Sequence, residues 1–536
     1  MIVSMKKPWL SKLLILVSSF ALASCSMIDL FPDRADQISD GVGSIPPSDL
    51  DKEDDILPIS LRQIGLSTQA DYLPSKGDVN ILVLPIEFTD CPFSSQTLVD
   101  INTALNGTSS DTGYWESVSS FYEKSSFGQV HLTYTIADVY ETGKTQRQLY
   151  NESVSSTGSD NGGGIIGEAY MDYIAKNGNT STVQFDSDRN GWIDGVVAIY
   201  SGNHTTKSSA SSAYDTAGYY WAYTYWTRGL IDPSTQDCPS WTNPNVYCPT
   251  PNLYVWLSYD FFFDAVKSPR VDAHTLIHET GHMFGLDDYY SQDGTTYAGC
   301  ADMMDCNVVD HDVFSKMMLG WITPHVVKKE EEISFLPSQS NGDCILIPGE
   351  DWNGTVYDEY ILVELYTPTG LNQLDSSIRY TNGVQGYTIP GLKVYHIDAR
   401  LMEQTYNART GSSTYAYVTD PSAGLKSNTP TEAHGYYIAA SNCYKSGWPV
   451  KDYSDQFSLI HMIQAGGINT FASGSMGTNV DLFNRGSFDI QSYKTFFLKR
   501  DSVTKKAVLN KGTSVSYKMN IQTVSNDGAL VSFTSL

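Results

Sequence analysis

Residues 278–288 read HETGHMFGLDD, with two histidines four apart and a glutamate directly after the first. On a helix, residues four apart differ by only about 40° in azimuth, so His278 and His282 can both turn their imidazoles toward one ion. Glu279 lies about 100° further round, placed to meet a water on that ion without displacing it. Gly285 can take a positive φ and end the helix, which turns the chain back and carries Asp288 toward the same ion. Two neutral imidazoles and one carboxylate leave a fourth position open, the usual arrangement of a catalytic zinc. No glutamate occurs between Glu279 and Glu330, so the class of HExxH enzymes with a downstream glutamate ligand does not fit. That leaves Asp287 or Asp288, and the spacing of three beyond Gly285 selects Asp288. His274 is also four residues from His278, but that pair has no glutamate in the matching place. A structural role is therefore expected for His274.

A second oxygen-rich stretch is DSDRNGWID, residues 186–194. Asp186, Asp188, Asn190 and Asp194 occupy positions 1, 3, 5 and 9 of an EF-hand-like loop, with Gly191 at the sharp turn. Together with the Trp192 carbonyl they suit calcium in a structural role. Position 12 is Val197 rather than a bidentate glutamate, a departure from full EF-hand geometry. Asp302, Asp305, Asp310 and Asp312, with His311, form a third group, read as a solvated or hydrogen-bonded loop. His396 in VYHID has a strand pattern and reads as a satisfied core histidine.

These residues need a frame. DVNILVLPIEFTD (78–90) and GVVAIYSG (195–202) are strand-length apolar runs, QVHLTYTI alternates like a strand, and ESVSSFYEKSSFG (116–128) and IIGEAYMDYIAK (165–176) have helical spacing. This order predicts an α/β layer before the histidine motif. After about residue 325, CILIPG, YILVELY, GLKVYHID, QFSLIHMI and GALVSFTS are short β-rich runs, predicting a β-sandwich-like region over 326–536. Residues 26–60, with PDRADQ and IPPSDLDKEDD, read as a flexible tether. Residues 1–25 combine Lys6, Lys7 and Lys12 with an apolar run and small residues before a cysteine, an export leader. Leu22–Ala23–Ser24–Cys25 resembles the bacterial lipobox, which implies lipidation of Cys25 and a place on the extracellular face of a bacterial envelope. Export permits disulfides; of the seven cysteines after Cys25, Cys238 with Cys248 and Cys300 with Cys306 would close short loops. A formal net charge of −26 excludes a phosphate-tracking role, so no nucleic-acid partner is expected.

HETGHMFGLDDYY resembles the HExxHxxGLxD motif of metzincin metallopeptidases, specifically the immune inhibitor A-like M6 family. ILVLPIEFTD, SVSSFYEKSSFGQVHL, FDSDRNGWIDGVVAIYSG, VFSKMMLGWI, EYILVELY, GLKVYHID and VDLFNRG are similar to blocks of that family in the same order, spanning most of residues 78–490. The resemblance implies an α/β metzincin-like catalytic domain over 61–325, followed by the β-rich region. It implies a zinc endopeptidase acting on protein or peptide substrates, with Glu279 as general base and His278, His282 and Asp288 as zinc ligands. Metzincins also carry a methionine turn beneath the metal, and GCADMMDCN (299–307) supplies Met304 for it. Departures are Asp287 where proline is common, a short pre-catalytic segment, and the lipobox. A monomer is expected. The rival class is a tethered surface-binding lipoprotein, an adhesin or carbohydrate binder with a structural metal, whose aromatic YYWAYTYW (219–226) would do the work.

Overall fold

The computed structural model describes residues 47–64, 72–107, 116–155, 161–202, 221–227, 247–263, 271–291, 294–380, 383–443 and 457–536. The leader, Cys25, the first part of the tether and Cys238 lie outside these residues. The chain divides into two compact units, with the break after Leu286 and the described residues 47–64 grouped with the second.

The first unit is mixed α/β. In chain order its elements are β1 (Gly77–Glu87), α1 (Ser95–Asn106), α2 (Val118–Ser125), β2 (Val130–Ile136), β3 (Tyr140–Glu141), α3 (Gln146–Ser155) and α4 (Asn161–Asn177). Then come β4 (Trp192–Ile193), β5 (Val196–Tyr200), β6 (Tyr223–Trp226), β7 (Thr250–Pro251), β8 (Leu253–Ser258) and α5 (His274–Met283). The main sheet runs β2-β1-β5-β8-β6, with β3 beside β1. All its pairs are parallel except β6 on β8. Residues 196–200 and 253–258 are buried throughout, as strands covered on both faces must be. One core joins Leu82, Leu84, Ile166, Tyr170, Ala198 and Trp256.

The second unit is β-rich. It holds the short helices α6 (Met303–Cys306) and α7 (Val313–Met318), then β9 (His325–Val326), β10 (Glu331–Phe335), β11 (Ile345–Pro348), β12 (Glu359–Tyr366) and β13 (Gly391–Asp398). There follow β14 (Leu401–Asn407), β15 (Ser412–Tyr417), β16 (Glu432–Ile438), β17 (Ile460–Met462), β18 (Gly486–Phe488), β19 (Lys499–Arg500), β20 (Ala507–Val508), β21 (Tyr517–Val524) and β22 (Ala529–Ser535). A five-stranded sheet β17-β13-β12-β11-β9 and a four-stranded sheet β10-β22-β21-β18 carry most of it. Ile345, Ile361 and Val394 of the one share a single core with Phe335, Met519 and Val531 of the other, the shared interior that defines sheet-on-sheet packing.

Two expected boundaries change. Residues 47–60 are not a free tether: Ile56 and Ile59 are buried, Asp49 N–H donates to Ser334 O, and the Tyr357 hydroxyl donates to Ile59 O. Two isolated isoleucines in a Pro- and acid-rich segment gave no periodic signal, yet they and the backbone pairing fix it. The unit boundary falls near residue 286 rather than 325, because residues 287–325 cluster with the β-rich unit.

Candidate metal centre

α5 is seated by its own unit before any metal is considered. The buried Tyr122 hydroxyl donates to Ile277 O at 2.7 Å, Leu73 N–H donates to Met283 O, and the Tyr122 and Phe284 rings lie 5.1 Å apart. Gly195, just before β5, lies so close to α5 that an added Cβ would stand 2.4 Å from the Met283 terminal methyl, which would have to move aside. At the helix start, Asp272 accepts the His274 N–H and pairs with its Nδ1. Burial raises the Asp272 carboxyl, but the His274 charge and hydrogen bonds outweigh it and hold Asp272 below its usual value. His274 is thus a buried structural partner.

The helix ends as the sequence suggests. Gly285 takes φ +97°, and Leu286 N–H reaches back to Gly281 O while Gly285 N–H bonds His282 O, a Schellman-type stop. This turn also sets the chemistry of His282. The Leu286 carbonyl lies 2.8 Å from His282 Nδ1; a carbonyl only accepts, so Nδ1 carries the proton and Nε2 presents a lone pair. That lone pair faces His278 Nε2 at 3.1 Å. A carboxylate oxygen of Asp288 joins them, the three ligand atoms all lying within 4.8 Å of one another. Asp287 does not join this group. Its Oδ1 accepts the Asp288 N–H at 3.0 Å and its Oδ2 accepts the Ser441 hydroxyl at 2.6 Å, so it fixes the backbone that carries Asp288.

Glu279 is buried and is held by Thr224 on β6, whose hydroxyl lies 3.0 Å from Glu279 Oε2 and 2.9 Å from Glu279 O. Sequence reading missed Thr224: it sits 55 residues away in a stretch noted for its aromatics, and no local spacing connects it to Glu279. Met304 is fully buried in α6, and its carbonyl accepts the N–H of Tyr289, the residue after Asp288, at 2.8 Å. Met303 is equally buried, so burial does not choose between them. The Cys300–Cys306 disulfide brackets this turn.

The second loop also assembles. Ligand atoms of Asp186, Asp188 and Asp194 lie within 4.8 Å of one another. Asp186 accepts the Asn190 and Gly191 N–H groups, Asp194 Oδ2 accepts Ser187 N–H, and Asn190 Oδ1 accepts Trp192 N–H. Gly191 takes φ +94° at the turn. Val197 lies inside β5, paired with Val83 and Val255, so no twelfth-position ligand exists.

Of the two readings of the third acidic group, the hydrogen-bonded one holds and the solvated one does not. Asp302, Asp305, Asp310, His311 and Asp312 are all buried. Asp302 accepts the Met304 and Asp312 N–H groups, Asp312 accepts Ser315 N–H, and Asp310 meets Lys316 Nζ at 2.5 Å. Burial and the neighbouring Asp312 push Asp302 well above the usual carboxylate range, while burial and the Glu364 charge raise Asp312 to about 7. His396 is a buried partner of Glu359, 2.7 Å from its Oε1.

Among the described residues no helix is long and apolar enough to cross a membrane. Neither protein-family models nor curated proteins give a match to this chain.

Proposed function

We propose that this protein is a zinc endopeptidase, anchored through lipid at Cys25 on the outer face of a bacterial envelope and acting on extracellular proteins, of the M6 metzincin type its motif resembles. The observation that carries this reading is the facing pair of Nε2 atoms on His278 and His282, with the His282 proton fixed on its other nitrogen. Two imidazoles bound tetrahedrally at the usual zinc–nitrogen length stand ~3.3 Å apart, and the 3.1 Å seen here fits that spacing. With Asp288 the donor set is two imidazole nitrogens and one carboxylate, the composition of catalytic rather than structural zinc sites.

A zinc ion held by these three residues supplies Lewis acidity toward a peptide carbonyl and toward water. Glu279, next to His278 but not itself in the ligand group, takes the proton of the attacking water and passes it to the leaving amine. Thr224 holds the Glu279 carboxylate in one orientation, so no rotamer search precedes proton transfer. β6 is antiparallel to β8, and among the described residues no strand pairs with its other edge. An extended peptide can add to such an edge through main-chain hydrogen bonds, beside the residue that holds the base. The loop of Asp186, Asp188, Asn190, Trp192 and Asp194 is assigned to calcium, bracing the entry to β5.

The test is cleavage of casein by the purified chain with and without a chelator. Cleavage abolished by chelation and restored by added zinc is expected. Cleavage insensitive to chelation, or none under any metal condition, would move the reading to a surface-binding protein with a structural metal.

A further inference from the structure

The hairpin of β19 and β20 is basic in an acidic chain. Residues 494–506 read KTFFLKRDSVTKK: five cations and one carboxylate, in a chain whose net charge is −26. Lys494, Lys499, Arg500, Lys505 and Lys506 are all exposed. Among the described residues none of the five pairs with a carboxylate at salt-bridge distance. Arg500 donates to the carbonyls of Phe497, Lys499 and Lys494, and Lys505 donates to Ser502 O. Lys499 Nζ lies 5.2 Å from the Phe457 ring centroid. Asp501, the lone acid, is taken up by the turn, where it accepts the Val503 and Thr504 N–H groups and the Thr504 hydroxyl.

Two apolar side chains stand out among these cations. Val503 at the turn is 84% exposed and Leu498, one residue before β19, is 67% exposed. Among the described residues Val503 is the most exposed large apolar side chain, and both stand among the cations. Cations around protruding aliphatic groups match a surface that is anionic outside and apolar beneath. A soluble polyanion would use the cations and leave Leu498 and Val503 in water.

We infer that the 494–506 hairpin docks on the headgroup layer of an anionic lipid bilayer, with Lys499, Arg500, Lys505 and Lys506 on the lipid phosphates and Val503 dipping below them. This contact does not depend on the metal centre. It gives a membrane-held chain a second point of attachment, which would orient the β-rich unit on the surface.

Vesicle flotation of the full chain tests it, using phosphatidylglycerol-containing and pure phosphatidylcholine vesicles at low and high salt. The leader is common to every variant, so its own affinity cancels in the comparison. The parent should float preferentially with the anionic vesicles, and high salt should weaken this, because headgroup contacts are screened within a Debye length. Lys505→Glu with Lys506→Glu should lower affinity for the anionic vesicles by about tenfold or more. Val503→Ser, which removes the apolar side chain without adding charge, should also weaken binding while leaving its salt dependence unchanged. Because these side chains are exposed, the urea midpoint should stay at the parent value, which separates a binding effect from misfolding. Equal flotation of parent and double variant would overturn the inference. So would an equal loss of flotation by the double variant on neutral vesicles, or flotation on anionic vesicles that Val503→Ser leaves at the parent level.

Discussion

Thr224→Val isolates the support of the proposed base. Valine keeps the shape and β-branching that suit β6 and removes only the hydroxyl, which lies 3.0 Å from Glu279 Oε2 and 2.9 Å from Glu279 O. A hydrogen bond to a charged acceptor contributes about 1.5–3 kcal/mol. One hydroxyl has one proton, shared here between a carboxylate and a carbonyl, so the carboxylate receives the lower end of that range. With about 1.4 kcal/mol per tenfold in rate, the variant should lose about tenfold in kcat. KM and zinc content should hardly move, since Thr224 is not among the metal-ligand group. The assay is steady-state cleavage of a quenched fluorescent peptide, with metal measured on the same preparation, and Thr224→Ser should recover most of the loss. A kcat within twofold of the parent would refute the positioning argument. A loss that tracked zinc content would reassign Thr224 to holding the helix.

Three other perturbations follow from the structure. Gly285→Ala forces a Cβ into the left-handed region at φ +97° and should cost about 1–2 kcal/mol in urea unfolding, with weaker zinc retention because the same turn sets His282. Calcium at a hundredfold excess over its dissociation constant should raise the Tm of the α/β unit by about 5–10 °C, and Asp188→Asn with Asp194→Asn should abolish the shift; an unchanged Tm in the parent removes the calcium assignment. Burial and the Glu364 charge raise folded Asp312 to about 7, above its unfolded value of about 3.9. Its contribution is therefore present below pH ~3.9 and lost as pH rises through the folded value. Relative to Asp312→Asn, which can still cap Ser315, the parent should lose on the order of 2 kcal/mol between pH 5.5 and 8.5; a constant difference would count against an ionising Asp312.

The cluster of His278, His282 and Asp288 was legible because its parts are local. His278, Glu279, His282, Gly285 and Asp288 lie within eleven residues, and helix geometry alone brings the histidines together. What locality could not carry was missed or misjudged. Thr224 reaches Glu279 through sheet topology, and Asp287 acquires its role from Ser441, 154 residues away. For Asp302–Asp312 the sequence left a solvated and a hydrogen-bonded loop open, because it shows the charges but not the backbone N–H groups they satisfy; the structure shows the hydrogen-bonded one. Residues 47–60 looked like a tether because Ile56 and Ile59 are too few to make a pattern, though each is buried. The strand runs before the motif foretold the mixed α/β layer, since fully covered strands must be continuously apolar, but not the order or direction of its strands. The break after Leu286 had no sequence mark, because Asp287 continues the motif without a linker.

The central claim is that His278, His282 and Asp288 hold a zinc ion on which Glu279 acts as the base. Glu279→Ala, assayed for zinc content and casein cleavage in one preparation, tests it most directly. About one zinc per chain is expected, as in the parent, with cleavage lowered by about 10²–10⁴-fold, the range general-base removal gives. Parental cleavage with the alanine in place would contradict it, and loss of the zinc together with the activity would make Glu279 a ligand rather than the base.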